Sequence, residues 1–414
     1  MLLHLHDYLI RAIARQELTC LCLLDLSAAF DTIDHQILLD RLKQWFGIEG
    51  SALSWFQSYL QSRTFSVFAR GTMSSPSIAT FGVPQGSVLG PLLFIMYTTP
   101  LSSLISTLSV DHHLYADDTQ LFISFSPKNF VQSAQNLQNA FNSVGQWMTS
   151  NLLTLNPSKT EFLVIGNQIQ LAKLTDPSLL LADGTLIKCV PTARNLGIVF
   201  DSHLSFHDQI TQLTKACFFH IRDLRRIRSC LDHKTASLIA TSIVHSKLDY
   251  CNSLYMNLPN YELDRLQYIQ NSLARAVCRT PRFTHITPVL HSLHWLKIRE
   301  RITYKIISLT FKALQTSQPT YLAAMVTLSV NNRTRSSKLV TLQRPPALRR
   351  KIIDRSFFHE APRIWNSLPA SLRKPSDTVS GSGPLSMTLD RFHTMLKTHL
   401  FSLSYPDYVA CDPT

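Results

Sequence analysis

Apolar residues recur at helical spacing through MLLHLHDYLIRAIARQE, and the first predicted element is an amphipathic helix. The run TCLCLLDL that follows lacks polar alternation. It predicts a buried strand from about Thr19 to Leu24, with Asp25 at its end. In DHQILLDRLKQWF the set Leu38, Leu42, Trp45 and Phe46 marks one side of a helix; SALSWFQSYLQ predicts another, and TFSVFARG a strand. FGVPQGSVLGPLLFIMY begins as a Gly and Pro loop and passes into a buried helix, which tolerates Pro91 in its first turn. HLYADDTQLFIS then predicts a buried hairpin with YADD at its tip. An amphipathic helix from Asn129 to Asn151 leads to LLTLNPSKTEFLVIG, a strand, turn and strand, and NLGIVFDSHLSFHDQI reads as a further short strand pair. From Gln209 to about Leu314 the pattern is helical, and basic as far as Arg228. NNRTRSSKL and RPPALRRK have no periodicity, and PSDTVSGSGPLS reads as a linker.

Composition adds scale to this pattern. A chain of 414 residues, 45% apolar, can bury a large core divided among two or three structural units. Its net charge of +13 is uneven: 11 Lys and Arg stand against 13 Asp and Glu up to residue 200, and 29 against 14 beyond it. A basic half joined to a carboxylate-bearing half fits a polyanion partner such as nucleic acid, and a merely soluble basic surface would look the same on charge alone. The eight cysteines form no CxxC pair and no regular framework, which argues against a disulfide scaffold or zinc finger and predicts reduced, mostly buried thiols. Asp7, Arg11 and Arg15 interrupt any export signal, and VLGPLLFIMY is too short to span a bilayer. The expectation is an intracellular protein, nuclear or cytoplasmic, with no membrane partner.

The chemistry starts from the pair Asp117 and Asp118. Like charges in a partly desolvated turn raise each other's pKa unless a cation neutralises them, and magnesium needs only one or two rigid carboxylates beside substrate phosphate. A third carboxylate, Asp25, stands at the end of another apolar strand. If the two strands are neighbours in one sheet, Asp25 and Asp117 can bridge two ions roughly 4 Å apart. Such a site serves a polymerase, a nuclease or a cyclase equally well. Asp31 and Asp34 are rival ligands, read instead as caps of the helix that starts near His35. Further on, Lys215, Arg222, Arg225 and Arg226 share one helical face, which is either solvated or tracks a duplex backbone through phosphate contacts. His291, His294 and Trp295 have no complementary cysteines and read as core or surface residues.

Five blocks in order, LLDLSAAFDTIDHQILLDRL, GVPQGSVLGPLLFIMYTTPL, LYADDTQLFIS, LTLNPSKTEFLVIG and LGIVFDSHLSFHDQI, resemble palm motifs A to E of reverse transcriptases from non-long-terminal-repeat retrotransposons of the LINE type. The resemblance implies an α+β fold, a palm of antiparallel strands backed by helices, followed by a mainly helical thumb and C-terminal region. It implies an RNA-directed DNA polymerase core with two Mg2+ ions on Asp25, Asp117 and Asp118, acting on an RNA template, a DNA primer and deoxynucleoside triphosphates. By the same resemblance Phe30 stacks under the sugar, Pro84, Gln85, Gly86 and Ser87 contact template base and incoming nucleotide, and Tyr115 and Ala116 complete the signature tetrad. Lys159 matches the lysine that protonates pyrophosphate, and Leu196 and Gly197 lie at the primer grip.

The domains expected are a palm over residues 1–205, a basic thumb-like region over 206–320 and a tail over 321–414. Only 24 residues precede Asp25, so the fingers that clamp the triphosphate are expected to be missing, with Arg11 and Arg15 poor substitutes. A truncated element protein is expected on that ground, and its alternative function is a catalytically inactive nucleic-acid-binding remnant.

Overall fold

The structure, a computed structural model, describes residues 1–174, 177–180, 184–329, 339–346, 351–375 and 384–406. The chain divides into two compact units, Gln16–Asn195 and a second made of Met1–Arg15 with Leu196–Thr414. The opening helix, α1 (Leu2–Ala14), therefore belongs with the C-terminal half, and the boundary drawn at 205 falls inside that unit.

The unit over Gln16–Asn195 begins with β1 (Leu18–Leu24), β2 (Leu26–Ser27), α2 (His35–Phe46) and α3 (Gly50–Leu60). Four two-residue strands follow: β3 (Thr64–Phe65), β4 (Phe68–Ala69), β5 (Thr72–Met73) and β6 (Ser77–Ile78). Then come α4 (Gly90–Ser106), β7 (Asp111–Tyr115), β8 (Asp118–Phe125), α5 (Phe130–Ser150), β9 (Thr154–Leu155) and β10 (Glu161–Ile165). The short α6 (Gln168–Leu171), β11 (Ser178–Leu180), β12 (Leu186–Lys188) and β13 (Thr192–Asn195) complete it.

Its main sheet has the order β10-β1-β8-β7, antiparallel throughout. All seven residues of β1 are buried, which is why the sequence shows no alternation there. Leu18, Cys20, Cys22 and Leu24 join one core with Leu38 and Leu42 of α2, Phe94 and Leu101 of α4, and Phe141 and Val144 of α5. Burying each large apolar side chain contributes about 1.5–3 kcal/mol. Asp34 caps α2 by accepting from Ile37 N at 2.8 Å, and Gly47 ends that helix at φ 64, a left-handed position glycine takes without strain. Ser87 accepts from Gly90 N at 2.9 Å at the start of α4, where Pro91 fills the first turn as expected.

The structure corrects several expectations. TFSVFARG is not one strand; β3 and β4 are exposed two-residue pieces paired with β6 and β5, because no core face is offered to them. Trp45 and Phe46 are exposed, and the buried side of α2 includes Arg41 instead. The YADD hairpin is buried on β8 only; β7 is an edge strand, and Tyr115 at its end is exposed. Within NLGIVFDSHLSFHDQI one whole strand forms, β14 (Ile198–Asp201), and the residues after it turn directly into a helix. The cause is Asp201, whose carboxylate accepts from the amides of His203, Ser205 and Phe206 and so builds a tight turn. Cys20, Cys22 and Cys217 are buried, whereas Cys230 is exposed.

The second unit continues with α7 (His207–Ile227), α8 (His233–Ala240), α9 (Ser246–Asp249), α10 (Asn260–Cys278), α11 (Ile286–Ser292) and α12 (Ile298–Thr316). It ends with α13 (Thr320–Ala323), α14 (Phe357–Ser367) and α15 (Leu389–Ser404). Phe311 stacks on Phe392 with centroids 4.0 Å apart, and Trp365 lies over the same ring. Asp7 explains how α1 joins this unit. Fully buried, it accepts from Ser356 Oγ at 2.5 Å and Phe358 N at 2.9 Å, capping α14 from across the chain. The basic loop and the Ser, Gly and Pro linker expected in the tail lie largely outside the described residues. The fold is α+β: an antiparallel sheet with helices against it, followed by a mainly helical region.

Candidate active site

β1 and β8 pair so that Leu24 faces Thr119. Asp25, one residue beyond the end of β1, therefore stands at the same end of the sheet as Asp118, the first residue of β8. Asp118 pairs with Tyr115, and Ala116 with Asp117 forms the two-residue turn between them. Ala116 sits at φ 50, a left-handed conformation that costs a non-glycine residue about 1–2 kcal/mol. Strain of this kind collects at functional turns. The Asp118 carboxyl is raised above its ordinary value, first by burial, then by the charges of Asp117 and Asp25.

Asp25 Oδ2 is buried and accepts no hydrogen bond, although Lys159 Nζ lies 3.2 Å away. The contact is thus an ion pair without hydrogen-bond alignment. Lys159 reaches it because the turn that carries it is fastened to the end of motif A. Asn156 N donates to Asp25 O at 2.9 Å, and β2 pairs with β9, Leu26 opposite Leu155. Lys159 itself is mostly exposed.

Motif B is tied to motif A in the same way. Gly82 N donates to Ile33 O and Val83 N to Phe30 O, both at 2.8 Å, and His35 Nε2 bonds Gly82 O at 2.8 Å. Gly82 has φ 84, and a Cβ there would meet Asp31 O at 2.9 Å, so only glycine allows this approach. Gln85 Nε2 donates to both carboxylate oxygens of Asp31 at 3.2 Å, so Asp31 is engaged by motif B and does not cap α2. Gly86, at φ 79, has open space where a side chain would be. Phe30 is half-buried, its ring 5.0 Å from that of Phe94. Asp31, Gln85 and Arg63 line a cleft of about 650 Å³. Nothing in the sequence singles out Arg63, since one arginine in a turn after a helix carries no pattern.

The expected metal centre is not preassembled. Among the described residues no three His, Cys, Asp or Glu side chains converge as a ligand group, and Lys159 supplies the positive charge at Asp25. The donor set nonetheless suits a hard cation: carboxylate oxygens at one sheet end, one of them buried without a hydrogen bond and one carboxyl resisting ionisation. The other expected contacts lie in the second unit. Leu196 (φ 45) and Gly197 (φ 81) are held there by Tyr250, whose hydroxyl donates to Leu196 O at 2.7 Å. Lys215, Arg222, Arg225 and Arg226 are all exposed on α7.

Comparison with known proteins bears on this geometry. A family model described as reverse transcriptase (RNA-dependent DNA polymerase) matches residues 4–200, a span that includes Asp25, the hairpin aspartates and Lys159. Residues 4–200 belong to the reverse transcriptase family. A probable RNA-directed DNA polymerase from transposon BS of Drosophila melanogaster is 26% identical over 314 residues, covering 72% of this chain and 33% of the relative. The RNA-directed DNA polymerase from mobile element jockey of Drosophila funebris is also 26% identical, over 72% of this chain and 32% of its own length. The chain thus spans about a third of the curated relatives it matches, and the resemblance to reverse transcriptases of LINE-type elements holds. Among solved structures, telomerase from Candida albicans in complex with a fragment of telomeric RNA aligns at TM-score 0.33 and 16% identity, over 77% of this chain and 52% of that one. Apo telomerase from Candida tropicalis aligns at TM-score 0.37 and 11% identity, over 77% and 56%. Both are too distant to assign anything to this chain. No helix among the described residues is long and apolar enough to cross a membrane.

Proposed function

We propose that the chain is the RNA-directed DNA polymerase core of a retrotransposon, transferring nucleotides to a primer 3′-hydroxyl on an RNA template. The observation that carries this reading is the meeting of Asp25, Asp118 and Lys159 at one sheet end inside a reverse transcriptase match. Asp25 and Asp117, assisted by Asp118, would hold two magnesium ions, which when bound neutralise charge at the attacking hydroxyl and the triphosphate. The primer 3′-hydroxyl gives up its proton to water as its oxygen forms a bond to the α-phosphorus, and the bond from that phosphorus to the bridging oxygen breaks, releasing pyrophosphate. Lys159, exposed enough to swing away from Asp25, donates the proton that the leaving oxygen takes up. Gln85 and Gly86 face the incoming nucleotide, and Phe30, braced by Phe94, walls its sugar. Tyr115, exposed beside the aspartates, lies against the incoming nucleotide. Leu196 and Gly197 hold the primer strand, while Lys215, Arg222 and Arg226 contact duplex phosphates. Because phosphoryl transfer asks little covalent chemistry of the protein, positioning and charge carry the rate.

Primer extension on poly(rA) with oligo(dT) tests this. The wild-type chain extends the primer, and Asp117→Ala loses the rate by about 100- to 1,000-fold or more while still binding duplex. Retained binding with no extension by either protein would favour a silent binding remnant. Primer shortening would point to a nuclease.

A further inference from the structure

A second recess, about 860 Å³, opens in the unit that carries α7 and α10. Arg225, Arg228, Arg275, Arg279 and Arg282 line it, and among the described residues no acidic side chain does. Among the described residues none of the five forms an ion pair with a carboxylate. Asp232, the carboxylate that feels Arg228, is spent on its own cap, accepting from Thr235 N at 2.7 Å. Two of the arginines frame the recess. Buried Arg228 donates from Nε and Nη2 to Val277 O at 2.8 and 2.7 Å, and Arg279 Nη2 donates to Arg228 O at 2.7 Å. The other three keep donors in reserve. Arg225 and Arg275 make only long contacts, 3.5 Å to Ser272 O and 3.4 Å to Thr284 O, and Arg275 Nε is buried without a hydrogen-bond partner. Arg282 is exposed. Helix capping accounts for the first pair and not for these.

We propose that this recess binds a single-stranded nucleic acid, with Arg225, Arg275 and Arg282 on consecutive phosphates and an unstacked base against Tyr268. Convergent guanidinium groups repel one another, and a chain of phosphates is the ligand that relieves several at once. A duplex offers its phosphates on a convex rail, which suits an open helical face; a recess admits a strand that can bend into it. Tyr268, a residue 59% exposed, lines the same recess, and a base stacked on such a ring is sequence-tolerant. The proposal rests on the polymerase reading only for the source of the strand.

Fluorescence anisotropy on the full chain with a labelled oligouridylate of twelve nucleotides, and with the same strand annealed to oligoadenylate, tests it. Arg225→Gln with Arg282→Gln should weaken single-strand binding at least about 10-fold at roughly 0.1 M salt. The slope of log affinity against log salt should fall by roughly 1.4, about 0.7 for each phosphate that is no longer neutralised. Tyr268→Leu should weaken single-strand binding about 5- to 150-fold and leave that slope unchanged. Lys43→Gln with Arg70→Gln removes the same charge elsewhere and should change nothing. Arg282→Gln alone, at an exposed loop position, supplies a variant with no packing role. Wild-type affinity in the arginine variants, or equal losses for strand and duplex, overturns the proposal. Absence of primer extension in the wild-type chain would remove the polymerase reading and leave this binding result standing; the reverse outcome would spare the polymerase.

Discussion

Lys159, a lone lysine in a turn, lies 3.2 Å from Asp25. It also occupies the charge that a cation would take. Lys159→Gln should therefore lower the extension rate by about 100-fold or more, as loss of a proton donor does, and at the same time shift the magnesium activation midpoint downward. A lysine that is only solvated would move neither. His245 gives a separate test of burial. The residue is 4% exposed, its ring centroid stands 4.2 Å from that of Trp295, and its pKa is pushed down to about 3 by burial and then by Arg301. A histidine held neutral in the fold contributes stability that is present above pH 6.5 and is lost as pH falls toward 3. The loss is about 1.4 kcal/mol per pH unit in that window. Urea midpoints at pH 7 and pH 5 should differ accordingly, and His245→Phe should flatten that part of the slope.

Arg41 joins three helices. Its guanidinium donates to Tyr97 O on α4 and to Asn151 Oδ1 just past α5, and it lies 4.5 Å from the Tyr97 ring and 5.2 Å from the Trp147 ring. Burial pushes this guanidinium below its ordinary value, so its retention depends on those acceptors. Arg41→Met keeps the packing and removes both charge-assisted hydrogen bonds, an expected loss of about 1.5–3 kcal/mol for each. Trp147 fluorescence during urea unfolding reports it. Nothing in the sequence pattern singles out Arg41. Periodicity places α2 correctly and cannot say which long polar side chain turns inward, because that choice depends on free carbonyls supplied by other helices.

The two units set expectations for the whole chain. Because Gln16–Asn195 carries its own core and sheet, the fragment 16–195 should melt cooperatively by circular dichroism. The fragment 196–414 should melt at a lower temperature than it does with residues 1–15 supplied as a peptide, since Asp7 caps α14 and α1 fills its core. An Asp7→Ala peptide should rescue less, by about 1–3 kcal/mol of stability. No local pattern marks this pairing: Asp7 reads as one polar position of an amphipathic helix, and its partners stand about 350 residues away.

Much was legible in the amino-acid order alone. Unbroken apolar runs place β1 and β8 in a core, helical spacing places α2, α5, α7 and α10, and five ordered motifs name the aspartates and Lys159, because each signal is local and repeats within a few residues. Register, which brings Asp25 beside Asp118, the fastening of Gln85 to Asp31, the inward turn of Arg41 and the convergence of five arginines around one recess depend on residues far apart in the chain. Those arrangements are chosen by which backbone carbonyls, carboxylates and apolar faces become neighbours on folding, and chain order carries no direct record of that.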